Sequence, residues 1–172
     1  MKTISFQHDV LPLKNQLFRL ALRITLDRAE AEDIVQDTLL KVWEKHGEWE
    51  KIDSIEAYSL AICRRLSIDK TRRAGRRNIS LSADNPPPEP LSHQPDPHEE
   101  TVRSDKVNIV RCIIDSLPEA QRSCIQLRDI EGKTYKDIAD ILSMTEEQVK
   151  VNIFRGRQKI KEQFNQKEQY GL

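Results

Sequence analysis

Aromatic residues are scarce in this chain: two Trp, three Tyr and four Phe among 172 residues, with only five Gly. Sheet proteins draw heavily on aromatic and β-branched strands and on glycine turns. Their scarcity, with a third of the residues charged, favours an all-α fold of short helices packed by Leu, Ile and Val. No apolar run is long enough to cross a bilayer. The opening MKTISFQHDV lacks the apolar stretch of a signal peptide, so a cytoplasmic location is expected. Cys63, Cys112 and Cys124 are odd in number and widely spaced. They suit neither a disulfide framework nor a zinc site, and read as buried reduced thiols. Nothing in the sequence resembles a Gly-rich phosphate loop, a metal-ligand spacing or a nucleophile with its base. The four histidines, His8, His46, His93 and His98, fall in terminus, loop and linker. No catalytic residue, metal, cofactor or small-molecule substrate is therefore expected, and the chain reads as a non-enzyme.

Net charge is also absent, since 28 basic residues balance 28 acidic ones. The balance hides a segregation. Basic residues gather in Arg64–Arg77 and Lys150–Lys161; acids gather in Asp27–Asp37 and Asp84–Glu100. Segregated signs in a neutral chain suggest one surface for a polyanion and another for a basic protein partner.

What is present is clearest in Thr134–Phe164. Thr134 with Asp137, and Thr145 with Gln148, each have the spacing of a capping box. Ser143-Met144 makes a short turn between them. Ile138, Leu142, Met144, Val149 and Ile153 can share a small core, and Ala139 permits a close helix crossing. This is the pattern of a helix-turn-helix, whose second helix enters the major groove. That helix carries Lys150, Arg155, Arg157, Lys159 and Lys161 with no acid between Lys150 and Lys161. The self-repulsion of such a run is relieved by a polyanion. Ser143 stands at a turn position usually held by Gly and should be strained if left-handed.

Along the chain, Val10–Thr25 shows helical spacing of apolar residues. Asp27 can cap a second helix, about Arg28–Lys45, whose apolar residues run from Ala31 to Trp43. Acids in a first turn serve the helix dipole, but Asp37 lies too far along for that account. It shares a face with Asp33 and Gln36; that face is either a docking edge or simply solvated. Trp49 stands in a loop, His46–Asp53. It either folds back on the core or stacks on an unpaired base. Asp53 and Glu56 open a third helix, Ser54 to about Arg73, which turns basic through Arg64, Arg65, Lys70, Arg72 and Arg73, followed by Arg76 and Arg77. These exceed what a helix dipole needs and suit a phosphate-tracking face. Residues 80–98 hold six of the eight prolines and read as an extended acidic linker between a first domain, 1–79, and a second, 99–172. In the second, Pro118 suits a helix start and Gly132 a helix stop.

Taken together these motifs resemble a bacterial RNA polymerase sigma factor of the extracytoplasmic-function group, which keeps only the second and fourth conserved regions. AEDIVQDTLLKVW (Ala31–Trp43) is similar to the region-two helix that docks on the polymerase clamp; the resemblance assigns the docking contact to Asp33, Gln36 and Asp37. AYSLAICRRLSIDKTRR (Ala57–Arg73) resembles the promoter-melting helix, with its characteristic Asp and Arg at Asp69 and Arg72. SLPEAQRSCIQLRDIEGKTYKDIADIL (Ser116–Leu142) resembles the start of region four. Lys150, Val151, Asn152, Phe154 and Arg155 match the positions that touch the upstream promoter element, and Arg157 extends that basic face. The downstream element would meet Trp49, Arg64, Arg65, Asp69, Arg72, Arg73, Arg76 and Arg77. The resemblance implies three partners: polymerase core at its clamp and flap, promoter DNA, and an anti-sigma factor on the membrane that can hold the protein there. The chain departs from the family pattern at Tyr58-Ser59, where Trp-Leu is usual, at Arg65, where Asn is usual, and at Asn152, where many relatives carry Arg. These departures bear on promoter sequence. A stand-alone helix-turn-helix regulator is the alternative; it accounts for the C-terminal half but not for the acidic helix or the second basic helix.

Overall fold

The structure, a computed structural model, describes residues 3–80 and 101–170, with only the backbone at 76–80 and 101–104. Of the linker expected at 80–98 only Ser80 is described, as the last residue of a helix; the rest of it and the side chains of Arg76 and Arg77 lie outside the described residues. Seven α-helices account for most of the rest: α1 (Lys14–Thr25), α2 (Arg28–Glu44), α3 (Ile55–Ser80), α4 (Thr101–Ser116), α5 (Glu119–Ile125), α6 (Tyr135–Leu142) and α7 (Glu146–Gln169). No strand occurs among the described residues.

The helix boundaries follow from local chemistry. The first helix starts later than its apolar spacing suggests, because Pro12 lies in one of two short helical turns, Phe6–Val10 and Leu11–Leu13, that precede it. Leu26 closes α1 in the left-handed region, φ 56°, its N–H donating to the Leu22 carbonyl at 2.8 Å. Asp27 caps α2 by accepting from the Glu30 N–H at 3.0 Å. At the start of α3 the cap is Ser54, whose hydroxyl accepts from the Ala57 N–H at 3.2 Å, rather than Asp53. The expected loop after α2 is a tight helical turn, His46–Lys51. Gly132, at φ 70°, stops the helical run that ends in a wide turn at Gln126–Ile130.

Within the helix-turn-helix, Thr145 and Gln148 form both halves of a capping box. Thr134 forms only one. Its oxygen accepts from the Asp137 N–H at 3.1 Å, but the Asp137 carboxylate takes the Thr134 hydroxyl at 2.7 Å instead of reaching back to the backbone. Ser143 is left-handed at φ 54°, ψ 48°, the conformation that makes a non-glycine residue pay steric strain.

Leu17, Leu20, Ala21 and Ile24 of α1, Ala31, Ile34 and Val35 of α2, and Leu60 and Cys63 of α3 pack into one core. That core continues without a break into Ile114, Leu117, Ile125 and Leu127, and on to Ile138, Leu142, Val149 and Ile153 around the helix-turn-helix. The N-terminal and C-terminal helices thus share one apolar interior. α1 and α3 of the first half meet α5 and α6 of the second. A second, smaller cluster joins Val10, Val42 and Trp49.

Candidate nucleic-acid interface

The α2 edge is built by helical spacing. Ala31, Ile34, Val35, Thr38 and Val42 turn inward, which leaves Asp33, Gln36 and Asp37 exposed together on the opposite face. Leu40, 61% exposed, extends the same strip, three residues past Asp37. Sequence reading missed it; its signal is an apolar residue off the buried stripe. Lys70 of α3 borders this strip, 3.0 Å from Glu30 and 3.8 Å from Asp33. The Glu30 hydrogen bond holds its ammonium above the usual lysine range.

Trp49 is not displayed for a base. It is 7% exposed, and its indole N–H donates to the Val42 carbonyl at 3.0 Å. The ring folds back because Phe6 and Val10, remote in sequence, join Val42 and Ile52 as its apolar neighbours. Trp43, expected on the buried stripe, is the open indole instead, at 49%. It packs edge-on to Phe6 and stacks against His46, with ring centroids 5.2 and 4.9 Å apart.

On α3 the basic face divides. Arg65, Asp69, Arg72 and Arg73 are exposed. Arg64 is turned toward the C-terminal half, 3.5 Å from Glu119, and its Nε is buried without a hydrogen-bond partner. Arg64, Arg65, Asp69 and Arg72 line a cleft of about 230 Å³ whose far wall is Ile141 and Ser143, at the turn of the helix-turn-helix.

On α7, Val149, Ile153 and Gly156 are buried. Lys150, Val151, Phe154 and Arg155 consequently share the exposed side, with Phe154 64% and Val151 44% open. The remaining two expected readers are engaged within the protein. Asn152 donates its amide to the Gln148 carbonyl at 2.9 Å. Arg157 forks onto Asp129, Nε to Oδ2 at 3.1 Å, a hydrogen bond that holds its guanidinium more basic than usual. Tyr135, at the first turn of α6, has Arg128 4.7 Å and Lys150 5.7 Å from its ring centroid. A ring between two cations gathers them on one side of the motif. Only the side-by-side basic residues were legible in sequence, not the aromatic between them.

No group of three or more metal-ligating side chains occurs among the described residues, and no helix among them is long and apolar enough to cross a membrane.

Comparison with known proteins matches two stretches of the chain to two family models. The family model Sigma-70 region 2 matches residues 10–77, and Sigma-70, region 4 matches residues 108–160. The ECF RNA polymerase sigma factor SigL of Mycobacterium tuberculosis is 34% identical over 136 residues, 78% of this chain and 74% of that one. SigE of Mycolicibacterium smegmatis, also an ECF RNA polymerase sigma factor, is 28% identical over 156 residues. The alignment takes in 86% of this chain but spans only 57% of the SigE length. Among solved structures, the sigma factor RpoE from Bartonella quintana, in complex with the anti-sigma factor NepR, superposes with a TM-score of 0.72. That match covers 93% of this chain and 96% of the other at 23% identity, and so speaks to the fold. With both modules present in order, and with a relative above 30% identity over most of its length, the chain belongs to the ECF sigma factors of RNA polymerase.

Proposed function

We propose that the chain binds RNA polymerase core through α2 and directs it to promoters by lending it two DNA-binding surfaces. The observation that carries this reading is the exposed strip Asp33, Gln36, Asp37 and Leu40 on α2, bordered on one side by Lys70 of α3. A free-standing regulator has no use for an acidic docking edge. The carboxylates steer a basic partner surface, and Leu40 gives the contact an apolar centre.

In this reading the division at residues 80–98 separates region 2, 1–79, from region 4, 99–172. Lys150, Val151, Phe154 and Arg155 on α7 enter the major groove of the upstream element, where Arg155 reads a base edge and Phe154 and Val151 meet thymine methyl groups. Arg128 and Lys150, gathered by Tyr135, hold the flanking phosphates and set the register of the helix. Arg65, Asp69, Arg72 and Arg73 hold the downstream element. Opening it requires a base to leave the stack, at a cost of a few kcal/mol. Trp43, 49% exposed, is the most exposed aromatic described in this half. The protein acts in the cytoplasm, where an anti-sigma factor covers these surfaces until it is released; the structural neighbour RpoE is itself in complex with an anti-sigma factor, NepR.

Run-off transcription with purified core polymerase and genomic fragments tests the whole reading: discrete transcripts that depend on added chain are expected. If the chain shifts DNA by itself and adds no transcripts to core, the stand-alone regulator is correct. Two variants test the sites. Charge reversal at Asp33 and Asp37 should weaken association with core, and unchanged affinity removes the docking assignment. Arg155→Ala should cost about 1–3 kcal/mol at the cognate upstream element if Arg155 reads a base. A uniform loss across all sequences would make it a phosphate contact.

A further inference from the structure

Lys70 stands where the acidic and basic surfaces of region 2 meet. On α2, Glu30, Asp33 and Asp37 follow at helical spacing and form one exposed acidic stripe. On α3, Lys70 shares its helix face with the exposed Arg73, whereas Arg65, Asp69 and Arg72 line the cleft toward α6. The Lys70 ammonium lies 3.0 Å from Glu30 and 3.8 Å from Asp33. The Glu30 hydrogen bond is the main cause of its raised basicity; burial opposes it, and the charges of Asp33 and Asp37 add to it. Three carboxylates thus hold one ammonium, and two of them belong to the strip assigned above to polymerase docking.

This arrangement places docking and DNA binding in competition for the same groups. A basic surface that takes Asp33 and Asp37 brings like charge against Lys70 and neutralises two of the three acids that hold it. The pairs are open to solvent, with Lys70 31% exposed, Glu30 49% and Asp33 68%. Ion pairs this exposed are weak, screened and readily exchanged. Lysine carries its charge on a flexible four-carbon stem, so Lys70 can leave α2 while α3 stays seated through Leu60, Cys63 and Ser67, all fully buried. Were Lys70 only a repulsive neighbour, it would simply weaken docking. Its place beside Arg73, on the helix assigned to the downstream element, supplies a second acceptor once that strand is present.

We propose that Lys70 couples the two binding events of region 2: the α2 carboxylates hold it in the free chain, and docking of a basic surface on Asp33 and Asp37 passes it to a backbone phosphate of the downstream strand. The coupling deepens the functional reading above and rests on it for the identity of both surfaces. It is reciprocal, so the strand favours docking by the same factor by which docking favours the strand.

Lys70→Gln tests the coupling because it should move the two affinities in opposite directions. Docking on purified core without DNA should tighten by about threefold, since the acids lose a competing cation. The probe for the second affinity is a fluorescein-labelled single strand carrying the downstream element of a promoter found by run-off transcription, with core alone as the blank. Its binding to the core-bound variant should weaken by about three- to fivefold. The slope of log affinity against log salt should become shallower by about 0.7, the loss of one phosphate contact on a single strand. Lys70→Arg, which keeps the charge, should stay near the parent in both affinities. Every other pair of changes in Lys70→Gln overturns the proposal. Weaker docking with weaker strand binding marks a residue that only seats α3 on α2. Unchanged docking with weaker strand binding marks an uncoupled phosphate contact, and tighter docking with the strand unaffected marks simple repulsion. If Lys70→Gln fails to fold, Glu30→Gln takes its place: it keeps Lys70 but removes its nearest acid. Strand binding by that core-bound variant should rise by about twofold, and no rise overturns the coupling. A parent chain that never joins core overturns the functional reading; a parent that joins core while these variants miss the expected changes overturns the coupling alone.

Discussion

Cys63 lies buried between α3 and α1, its thiol directed at the Leu17 carbonyl 3.3 Å away. Burial pushes its pKa up to about 12 from the ordinary 9.0, and that of Cys124 up to about 11. Both thiols therefore stay protonated and unreactive, whereas Cys112 is exposed. Iodoacetamide at pH 8 should modify Cys112 alone in the native chain and all three cysteines in denaturant. The raised folded values also fix a sign: the stabilising contribution is complete below pH 9 and is lost as pH rises toward 12. Cys63→Ala should flatten that alkaline decline in chemical denaturation measured across the range. Trp49→Ala removes a buried indole and should cost about 3–5 kcal/mol, with little effect on downstream-strand affinity beyond that of the lost fold. A selective loss of strand binding at full stability would return the base-stacking role to Trp49. Its burial was not legible locally, since its neighbours Phe6 and Val10 lie some forty residues upstream of it. The caps at Asp27 and Thr145 and the stop at Gly132 were legible, because each is a contest among residues three or four positions apart.

At the scale of the element, α7 carries a glycine in its interior, where the cost relative to alanine is about 1 kcal/mol. Gly156 is there because a Cβ would sit 3.0 Å from Ile125 Cγ1 and 3.2 Å from its Cδ1. Gly156→Ala should destabilise the chain by about 1–3 kcal/mol through overpacking, despite its better helix propensity, and thermal denaturation decides the sign. The same close approach sets the angle at which α7 presents Lys150 and Arg155. Tyr135→Ala should weaken upstream-element binding several-fold and flatten its salt dependence, while Tyr135→Phe, which keeps the ring, should not. Fluorescence anisotropy at two or three salt concentrations separates these outcomes. The basic run on α7 was plain in the sequence. Which of its members turn back into the protein was not, because Arg157 finds Asp129 only after the chain reverses at Gly132.

For the whole molecule, the neutral total conceals a junction in which opposite charges from the two halves meet over one apolar interior. Such continuity should make the free chain unfold in a single cooperative transition, with calorimetric and van't Hoff enthalpies in agreement. Two separate transitions would show that the shared interior contributes little coupling. Segregated charge was visible in the order of residues; the pairing of Arg19 with Glu131 was not, because no periodicity links positions more than a hundred residues apart. One consequence follows from the length of α7. It runs 24 residues, about 36 Å at 1.5 Å per residue, and its far end is pinned by Glu168 to Lys106 on α4. In the proposed reading, a rod of that span converts a tilt imposed in the groove into a sideways pull on α4, the first helix described after residue 100.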